Sequence, residues 1–397
     1  MSKAPNLSKH FWLHLGLFIA FNLLLYLFIN KFHDLVRFKS EAYFRNAHHY
    51  TIDPRSEGKP FNFFSALAQY DAQWYLKISD ANYSFNYDFE ETVDKKNDMS
   101  NLSYAFFPLL PMLINLSHFV ISDLETAAFV TTNLLLLLNF LSLYLMLSKL
   151  SNRNTAVKTI WLLMLFPFSI FFRSYFGENL QLLLSIWFLF FLIKNQYYAA
   201  SIFLGFLGLT KGIVLPIGLL FAILMTGKLL KKQISLKTYL ISALISSLGI
   251  LSWIGFNYLE TGDFLYFQKV QSAWYFEFPV PPPIYNLILI INMPLLPFHT
   301  IHASFVDVVI CLLSLWLIVW SYKKLPLYLW LYSLMLWILP FFTRDLASFS
   351  RYQSASFPLF YALAKHLSGW RYYFLLIISG ILLFITSAFF VNWYWIG

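Results

Sequence analysis

Charged side chains are scarce in this sequence of 397 residues: Asp, Glu, Lys and Arg make up 12% of it, whereas 59% of the residues are hydrophobic. A soluble domain is about one quarter charged, so this composition excludes an ordinary soluble enzyme, a disordered chain and a nucleic-acid binder. The single cysteine, Cys311, excludes an intramolecular disulfide. The sequence also lacks an Asp-x-Asp pair and a Gly-rich phosphate loop, so we expect neither a metal site nor a cofactor.

The sequence instead contains many long apolar segments. A bilayer crossing needs about 20 mostly apolar residues, fewer where a helix is short or surrounded by others. We therefore predict an all-α polytopic membrane protein, built as one domain over residues 1–397, with about eleven transmembrane helices. The predicted spans are 11–30, 124–148, 156–172, 177–194, 197–210, 212–227, 238–258, 303–321, 326–342, 352–367 and 372–391.

The distribution of charge predicts how these helices are oriented. With the N-terminus in the cytoplasm, the inner loops contain fourteen Lys and Arg residues and no acid, and all 19 Asp and Glu residues fall on the outer side. This segregation follows the positive-inside rule, so the net charge of +9 reflects topology. Few cysteines and no eukaryotic sorting signal favour a bacterial cytoplasmic membrane; an endoplasmic reticulum enzyme would keep the same topology.

Two apolar segments are predicted not to cross the membrane. Counting residues 104–121 or 284–298 as a crossing would move lysine-rich inner loops to the outer side, and both segments contain a pair of prolines. We interpret them as interfacial or re-entrant helices. The outer side then has two larger loops, residues 31–123 and 259–302, which we expect to lie on the membrane domain.

Five cations fall at helix ends or in short loops on the outer side: Arg173, Lys211, Lys269, Arg344 and Arg351. A charge at membrane depth is costly and therefore marks a candidate functional site. Interfacial anchoring of each side chain is the alternative. Five cations on one leaflet favour a site for an anionic lipid headgroup, such as a polyprenyl phosphate.

Asp71 is the carboxylate of most interest. It follows an apolar stretch and lies among Tyr70, Trp74 and Tyr75. An aromatic belt at the membrane surface explains the rings but not the acid between them. A partly desolvated carboxylate at this position is a candidate general base.

Five stretches resemble, in the same order, the motifs of one enzyme family. They are residues 70–83, with Asp71; 104–113, with an AFFP-x-x-P segment; 174–185, with Glu178; 261–274, with Asp263, Gln271 and Trp274; and 350–360, with Arg351. On these stretches the sequence resembles the GT-C superfamily of polytopic glycosyltransferases, and within it the PIG-V-like mannosyltransferases that act on precursors of the GPI anchor.

The resemblance implies an inverting transfer of a sugar, mannose in this family, from a polyprenyl-phosphate donor to a hydroxyl of a glycolipid or glycan acceptor on the outer leaflet. Asp71 would serve as the base. Arg351, Lys211 and Arg173, with Lys269 and Arg344 behind them, would bind the lipid phosphate. Glu178, Asp263 and Gln271 would orient sugar hydroxyls, and Trp74 or Trp274 would stack on a sugar ring. We expect membrane lipids and these two substrates as partners, and a monomer.

Alternative interpretations remain open. Glu178 could pair with Arg173, and Asp263 could simply cap its turn. A lipid or glycolipid transporter, or flippase, is the main alternative function, and a scaffold subunit is another. A transporter predicts polar residues near the bilayer midplane and internal repeats, and the sequence shows neither.

Overall fold

The computed structural model describes residues 9–47, 50–83, 101–212, 214–271, 280–297 and 304–397, and these residues form helices and connecting loops without a strand. Short 3₁₀ helices at Pro54–Glu57, Leu102–Ala105 and Pro167–Phe172 lie between some of the α-helices. The α-helices of the described residues are α1 (Lys9–Phe32), α2 (Ser40–Asn46), α3 (Asp71–Ala81), α4 (Leu109–His118), α5 (Leu124–Leu150), α6 (Arg153–Met164), α7 (Glu178–Ile193), α8 (Tyr197–Leu207), α9 (Val214–Leu230), α10 (Leu236–Thr261), α11 (Tyr266–Gln271), α12 (Pro282–Ile291), α13 (Phe305–Ser321), α14 (Leu327–Thr343), α15 (Phe349–Ser354), α16 (Phe357–His366) and α17 (Gly369–Phe390).

Among the described residues, four helical segments are long and apolar enough to cross a bilayer: Lys9–Leu35, Leu124–Leu150, Leu236–Thr261 and Gly369–Phe390. The prediction of an all-helical chain with membrane-spanning helices is thereby confirmed at this coarse level. Five of the other predicted spans coincide with shorter apolar helices, whereas the predicted spans 156–172 and 352–367 each cover two shorter helical elements.

Proline divides one of these shorter segments. Helix α6 ends at Met164, and the chain continues as the 3₁₀ helix Pro167–Phe172. Proline has no amide hydrogen to donate and disfavours helical geometry in the residue before it, so the α-helix stops just short of Pro167. The predicted segment 156–172 is therefore a broken helix.

The two proline-containing segments form the short helices α4 and α12, of ten residues each. Ten residues rise about 15 Å, roughly half the thickness of the hydrocarbon core. Neither helix is long enough to cross a bilayer, which agrees with the prediction that both stay on one side.

Helices α8 and α10 approach each other closely at glycine. A Cβ atom at Gly249 would lie 1.8 Å from the carbonyl oxygen of Gly205, and a Cβ at Gly208 would lie 2.9 Å from the amide nitrogen of Ile250. Only glycine permits this backbone contact, as is common where apolar helices pack inside a membrane. The contact fixes the end of α8, from which the next loop carries Lys211.

Two long-range hydrogen bonds can be compared with the predicted orientation. The ammonium of Lys158, on α6, donates to the Leu367 carbonyl just after α16 at 3.1 Å, and both positions belong to the predicted inner side. The Arg55 guanidinium donates to the Val391 carbonyl at 2.6 Å, which joins two segments assigned to the outer side. Each contact thus joins residues from the same predicted side.

Candidate functional site

Arg351 lies at the centre of the site. Its Nη1 donates to Asp71 Oδ2 at 2.8 Å, and its Nε lies 3.2 Å from Glu178 Oε1 in an ion pair that lacks hydrogen-bond geometry. The Arg351 side chain is 5% exposed and that of Glu178 only 1%. One buried guanidinium therefore connects helix α15 to the first residue of α3 and the first residue of α7.

Both carboxylates are placed by the start of a helix. Asp71 begins α3 and Glu178 begins α7, where the helix dipole favours a negative side chain. Just before Asp71 the backbone of Tyr70 has a positive φ of 50°, which is unfavourable for a non-glycine residue. The Tyr70 hydroxyl donates to the Trp393 carbonyl at 2.7 Å and holds this conformation in place.

Two more cations complete the group. The Lys211 ammonium lies 2.5 Å from Glu178 Oε1 and 4.9 Å from the centre of the Tyr352 ring. The Arg344 guanidinium, at the end of α14, donates to the Tyr352 hydroxyl. We call the six residues Asp71, Glu178, Lys211, Arg344, Arg351 and Tyr352 the Arg351 cluster. These six residues include three cations and two anions.

Aromatic rings surround the guanidinium of Arg351. Its Cζ lies 5.3 to 5.6 Å from the ring centres of Phe171, Phe176, Tyr352 and Trp395. Ring faces attract a cation, and their bulk keeps water from it, which strengthens its electrostatic interactions. The charge of Arg351 is therefore directed at the two carboxylates.

Asp307 fixes the helix that carries Arg351. Its side chain is fully buried at the start of α13, and Oδ1 accepts from the backbone amide of Ser350 at 3.1 Å and from the Ser350 hydroxyl at 2.7 Å. The Ser304 hydroxyl donates to Oδ2 of the same carboxylate at 2.6 Å. Asp307 thus holds α15 one residue before Arg351.

Tyr75 belongs beside this cluster, although its sequence context indicated only an aromatic belt. It lies four residues after Asp71 on α3, and a Cβ placed on Gly177 would be 3.2 Å from its hydroxyl oxygen. Burial raises the pKa of Tyr75 well above its ordinary value, and Glu178 and Asp71 raise it further. The phenol is therefore neutral. The four-residue spacing from Asp71, which places both side chains on one helix face, was the available signal.

Arg173 does not lie with the other cations. It is fully buried and donates to Asn22 Oδ1 at 2.7 Å, to the Ser169 carbonyl and hydroxyl at 2.9 Å each, and to the Met164 carbonyl at 3.3 Å. These contacts bind α1 to the 3₁₀ helix that follows α6. We therefore remove Arg173 from the anion-binding residues, and the alternative pairing of Glu178 with Arg173 is replaced by its pairing with Arg351 and Lys211.

The residues of the second outer loop are grouped around α11. The side chain of Asp263 accepts from the Leu265 amide at 2.9 Å, as expected of a residue that caps a turn. Gln271 donates to the Ala105 carbonyl at 3.4 Å, and Lys269 is exposed on the same helix. Trp274 lies outside the described residues. These contacts do not join Asp263 to the Arg351 cluster.

Trp74 is packed into the protein. It is 1% exposed, and its ring stacks on Phe106 with the centres 5.7 Å apart and the planes 17° apart. Lys77 lies 5.2 Å from the ring centre, and burial lowers the pKa of this lysine to about 8. A ring covered in this way offers no open face to a sugar, so we assign Trp74 to the packing of α3.

No family model matches the sequence, and no curated protein matches it. Within the described residues, no three His, Cys, Asp or Glu side chains form a group that would hold a metal ion. Asp71 has the most exposed carboxylate in the Arg351 cluster, at 25%, beside a buried group of cations. Such an arrangement combines a proton acceptor with an electrostatic site for an anion.

Proposed function

We propose that this protein is an integral-membrane inverting glycosyltransferase that moves a sugar from a polyprenyl-phosphate donor to a hydroxyl of a glycolipid or glycan acceptor. The observation that supports it is the contact between Asp71 and Arg351, 280 residues apart in sequence, at 2.8 Å. Two of the motifs behind the resemblance thus supply adjacent members of one charged site. Mannose as the sugar, and about eleven spans with the site on the outer face, are parts of this proposal.

The proposed reaction uses the carboxylate of Asp71 as the base and the neighbouring cations as the site for the phosphate. Asp71 takes the proton of the acceptor hydroxyl, and the resulting oxygen nucleophile attacks the anomeric carbon of the donor. A new glycosidic bond forms from the opposite face as the bond between that carbon and the phosphate oxygen breaks, so the configuration inverts. The electron pair leaves with the lipid phosphate.

The cations stabilise the leaving phosphate. Its negative charge grows as the bond breaks, and Arg351, Lys211 and Arg344 are already held in place by Asp71, Glu178 and Tyr352. Cations that need no rearrangement at the moment of reaction are the most effective electrostatic catalysts.

The substitution Asp71→Asn tests the base. The amide oxygen still accepts from Arg351, but the side chain no longer removes a proton, so we expect transfer to fall by about 10²- to 10⁴-fold. The measurement is transfer of labelled mannose from a polyprenyl-phosphate donor to a glycolipid acceptor in membranes that contain the full chain.

Asp80→Asn is the matched control, because Asp80 is exposed near the end of the same helix. We expect this variant to transfer sugar at the wild-type rate. Undiminished transfer by Asp71→Asn would refute the assignment of the base. Movement of a lipid across the bilayer without any sugar transfer by the wild type would favour the transporter alternative.

A further inference from the structure

The segment that follows α17 leads back to the Arg351 cluster. The Tyr70 hydroxyl donates to the Trp393 carbonyl at 2.7 Å, which fixes the first part of this segment. A Cβ atom at Gly397 would lie 3.4 Å from the backbone nitrogen of Arg351, so the segment reaches the helix that carries this arginine. Trp395 lies between these two points and outside all five sequence motifs.

Trp395 is next to both halves of the proposed reaction site. Its ring centre lies 5.3 Å from Cζ of Arg351, whose Nη1 donates to Asp71 at 2.8 Å. The same ring centre lies 4.7 Å from that of Tyr70, the residue before Asp71. The indole is thus close to the cation proposed to bind the phosphate and to the segment that carries the proposed base.

Exposure distinguishes Trp395 from the other rings around Arg351. Phe171, Phe176 and Tyr352 are 0%, 1% and 7% exposed, so protein already covers them. Trp395 is partly exposed. Of these four rings it is therefore the one that presents surface to a ligand beside the guanidinium.

The indole N–H of Trp395 indicates a role beyond packing. Trp393, two residues earlier, is fully buried, and its Nε1 donates to Asp53 Oδ2 at 3.1 Å. Nε1 of Trp395 is also buried, but it has no acceptor among the described residues. A buried donor without an acceptor costs roughly 1–3 kcal/mol, and a phenylalanine would cover Arg351 without that cost. Packing alone thus does not account for an indole at this position.

We propose that the donor sugar stacks on Trp395. The inference rests on the proposed function, which brings a sugar-bearing lipid phosphate to the Arg351 cluster. A single oxygen atom joins the sugar to that phosphate, so a phosphate at Arg351 places the sugar within reach of the neighbouring indole. The acceptor, in contrast, brings its hydroxyl to Asp71.

An indole suits one face of a pyranose ring. The face of an aromatic ring carries partial negative charge, whereas the C–H groups on the apolar face of a sugar carry partial positive charge, so the two attract each other when stacked. Sites for small molecules combine such an apolar surface with a few polar groups that fix orientation, and here Asp71 and Arg351 supply them. Trp395 thereby takes the role predicted from sequence for Trp74, whose ring is stacked on Phe106.

Two probes that differ only in the sugar test this proposal. Mannosyl farnesyl phosphate carries the sugar. Methyl farnesyl phosphate has the same chain and the same single negative charge, with a methyl group in place of the sugar. The measurement is binding of each probe to the full chain in detergent by isothermal titration calorimetry, and the ratio of the two dissociation constants gives the preference for the sugar.

Three variants complete the design. Trp395→Leu removes the aromatic face, and Trp395→Phe keeps a smaller one that still covers Arg351. Trp370→Leu is the matched control, because Trp370 is 72% exposed and lies at the opposite end of α17. We expect the wild type and the control to prefer the mannosyl probe equally. This preference should fall about five- to tenfold in Trp395→Leu and about two- to threefold in Trp395→Phe, whereas each variant should bind the methyl probe almost as the wild type does.

Three results would overturn the proposal. An equal loss of both probes in Trp395→Leu would show that Trp395 acts only by packing on Arg351. An unchanged preference in either variant would remove Trp395 from the sugar site, and Trp395→Phe decides alone if Trp395→Leu does not fold. The third is a wild type that binds both probes equally.

The outcomes for Trp395 and for the proposed function are separable. A preference that is lost in Trp395→Leu, in a protein whose wild type transfers no sugar, supports the sugar-binding surface and refutes the glycosyltransferase. Sugar transfer by the wild type, with transfer and preference unchanged in Trp395→Leu, refutes the role of Trp395 and leaves the glycosyltransferase standing.

Discussion

The ion pair between Arg351 and Glu178 makes a quantitative prediction about stability. Arg351 Nε lies 3.2 Å from Glu178 Oε1, and both side chains are almost fully buried. At an effective dielectric constant of about 20, two unit charges at this distance attract each other by about 5 kcal/mol. Removing either partner leaves a buried charge with less compensation, which typically costs roughly 3–5 kcal/mol.

The perturbation is a double-mutant cycle with Arg351→Met, Glu178→Gln and the double variant. Glu178 keeps Lys211 when Arg351 is replaced, and Arg351 keeps Asp71 when Glu178 is replaced. These remaining partners reduce the loss, so we expect a coupling free energy of about 2–5 kcal/mol. The double variant should therefore be more stable than the sum of the single losses indicates.

The assay is equilibrium unfolding of the purified full chain in SDS, followed by tryptophan fluorescence. The matched control cycle pairs Glu178→Gln with Arg371→Met, because Arg371 is exposed and lies beside the ring of Trp370. This control should be additive to within about 0.5 kcal/mol. A coupling of Arg351 and Glu178 as small as that of the control would refute the buried pair.

Three further changes test separate features. Burial raises the pKa of Asp345 to about 6. The stability that the protonated carboxyl contributes is present below about pH 4 and is lost as pH rises through 6. Asp345→Asn should therefore raise the free energy of unfolding by roughly 3 kcal/mol near pH 7.5 and by little near pH 4, and an equal gain at both pH values would contradict this. Gly249→Leu should lower the free energy of unfolding in SDS by about 4 kcal/mol or more. Gly255→Leu is the control, because a Cβ there meets no atom within 4 Å, and it should change the free energy of unfolding little. Equal losses in the two variants would contradict the close helix contact. Asp307→Ala should lower the free energy of unfolding by about 1–3 kcal/mol and slow sugar transfer, because Ser350 loses its acceptor. Asp307→Asn should partly restore both, since Ser350 then regains an acceptor. Unchanged transfer in Asp307→Ala would show that α15 is held by other contacts.

Much of the helical architecture was predictable because it depends on local composition. Apolar runs bounded by charge, glycine or proline specify where helices lie, and the four longest helical segments coincide with predicted spans. The interruptions within predicted spans were harder to predict from the sequence. Helix α6 ends at Met164, three residues before a proline that the predicted span 156–172 included without interruption.

Part of the site was also predictable, since a charge at an apolar helix end is conspicuous in sequence. Asp71, Glu178, Lys211, Arg344 and Arg351 were all candidates, and the structure brings them together. Their pairing was not predictable, because Asp71 and Arg351 are 280 residues apart and no local pattern connects them.

Arg173 shows why charge alone misleads. In sequence it resembles the other outer cations, but its acceptors are Asn22 on α1, the Met164 carbonyl at the end of α6 and the Ser169 carbonyl in the 3₁₀ helix that follows. Those acceptors exist only once the chain has folded. Trp74 is a similar case, since its stacking partner Phe106 is 32 residues further along the chain.

The segment that follows α17 has a consequence for biosynthesis. Arg55 donates to the Val391 carbonyl, Trp393 Nε1 donates to Asp53 Oδ2, and the Tyr70 hydroxyl donates to the Trp393 carbonyl. Tyr70 is made 323 residues before its partner, which at ribosomal speed is a delay on the order of tens of seconds. The segment that positions Asp71 is thus translated early, but the hydrogen bond from Tyr70 to Trp393 forms only after the last helix has been translated. A chain truncated between Tyr352 and Trp393 contains all six residues of the Arg351 cluster but lacks the Trp393 carbonyl that accepts from Tyr70, the residue before Asp71.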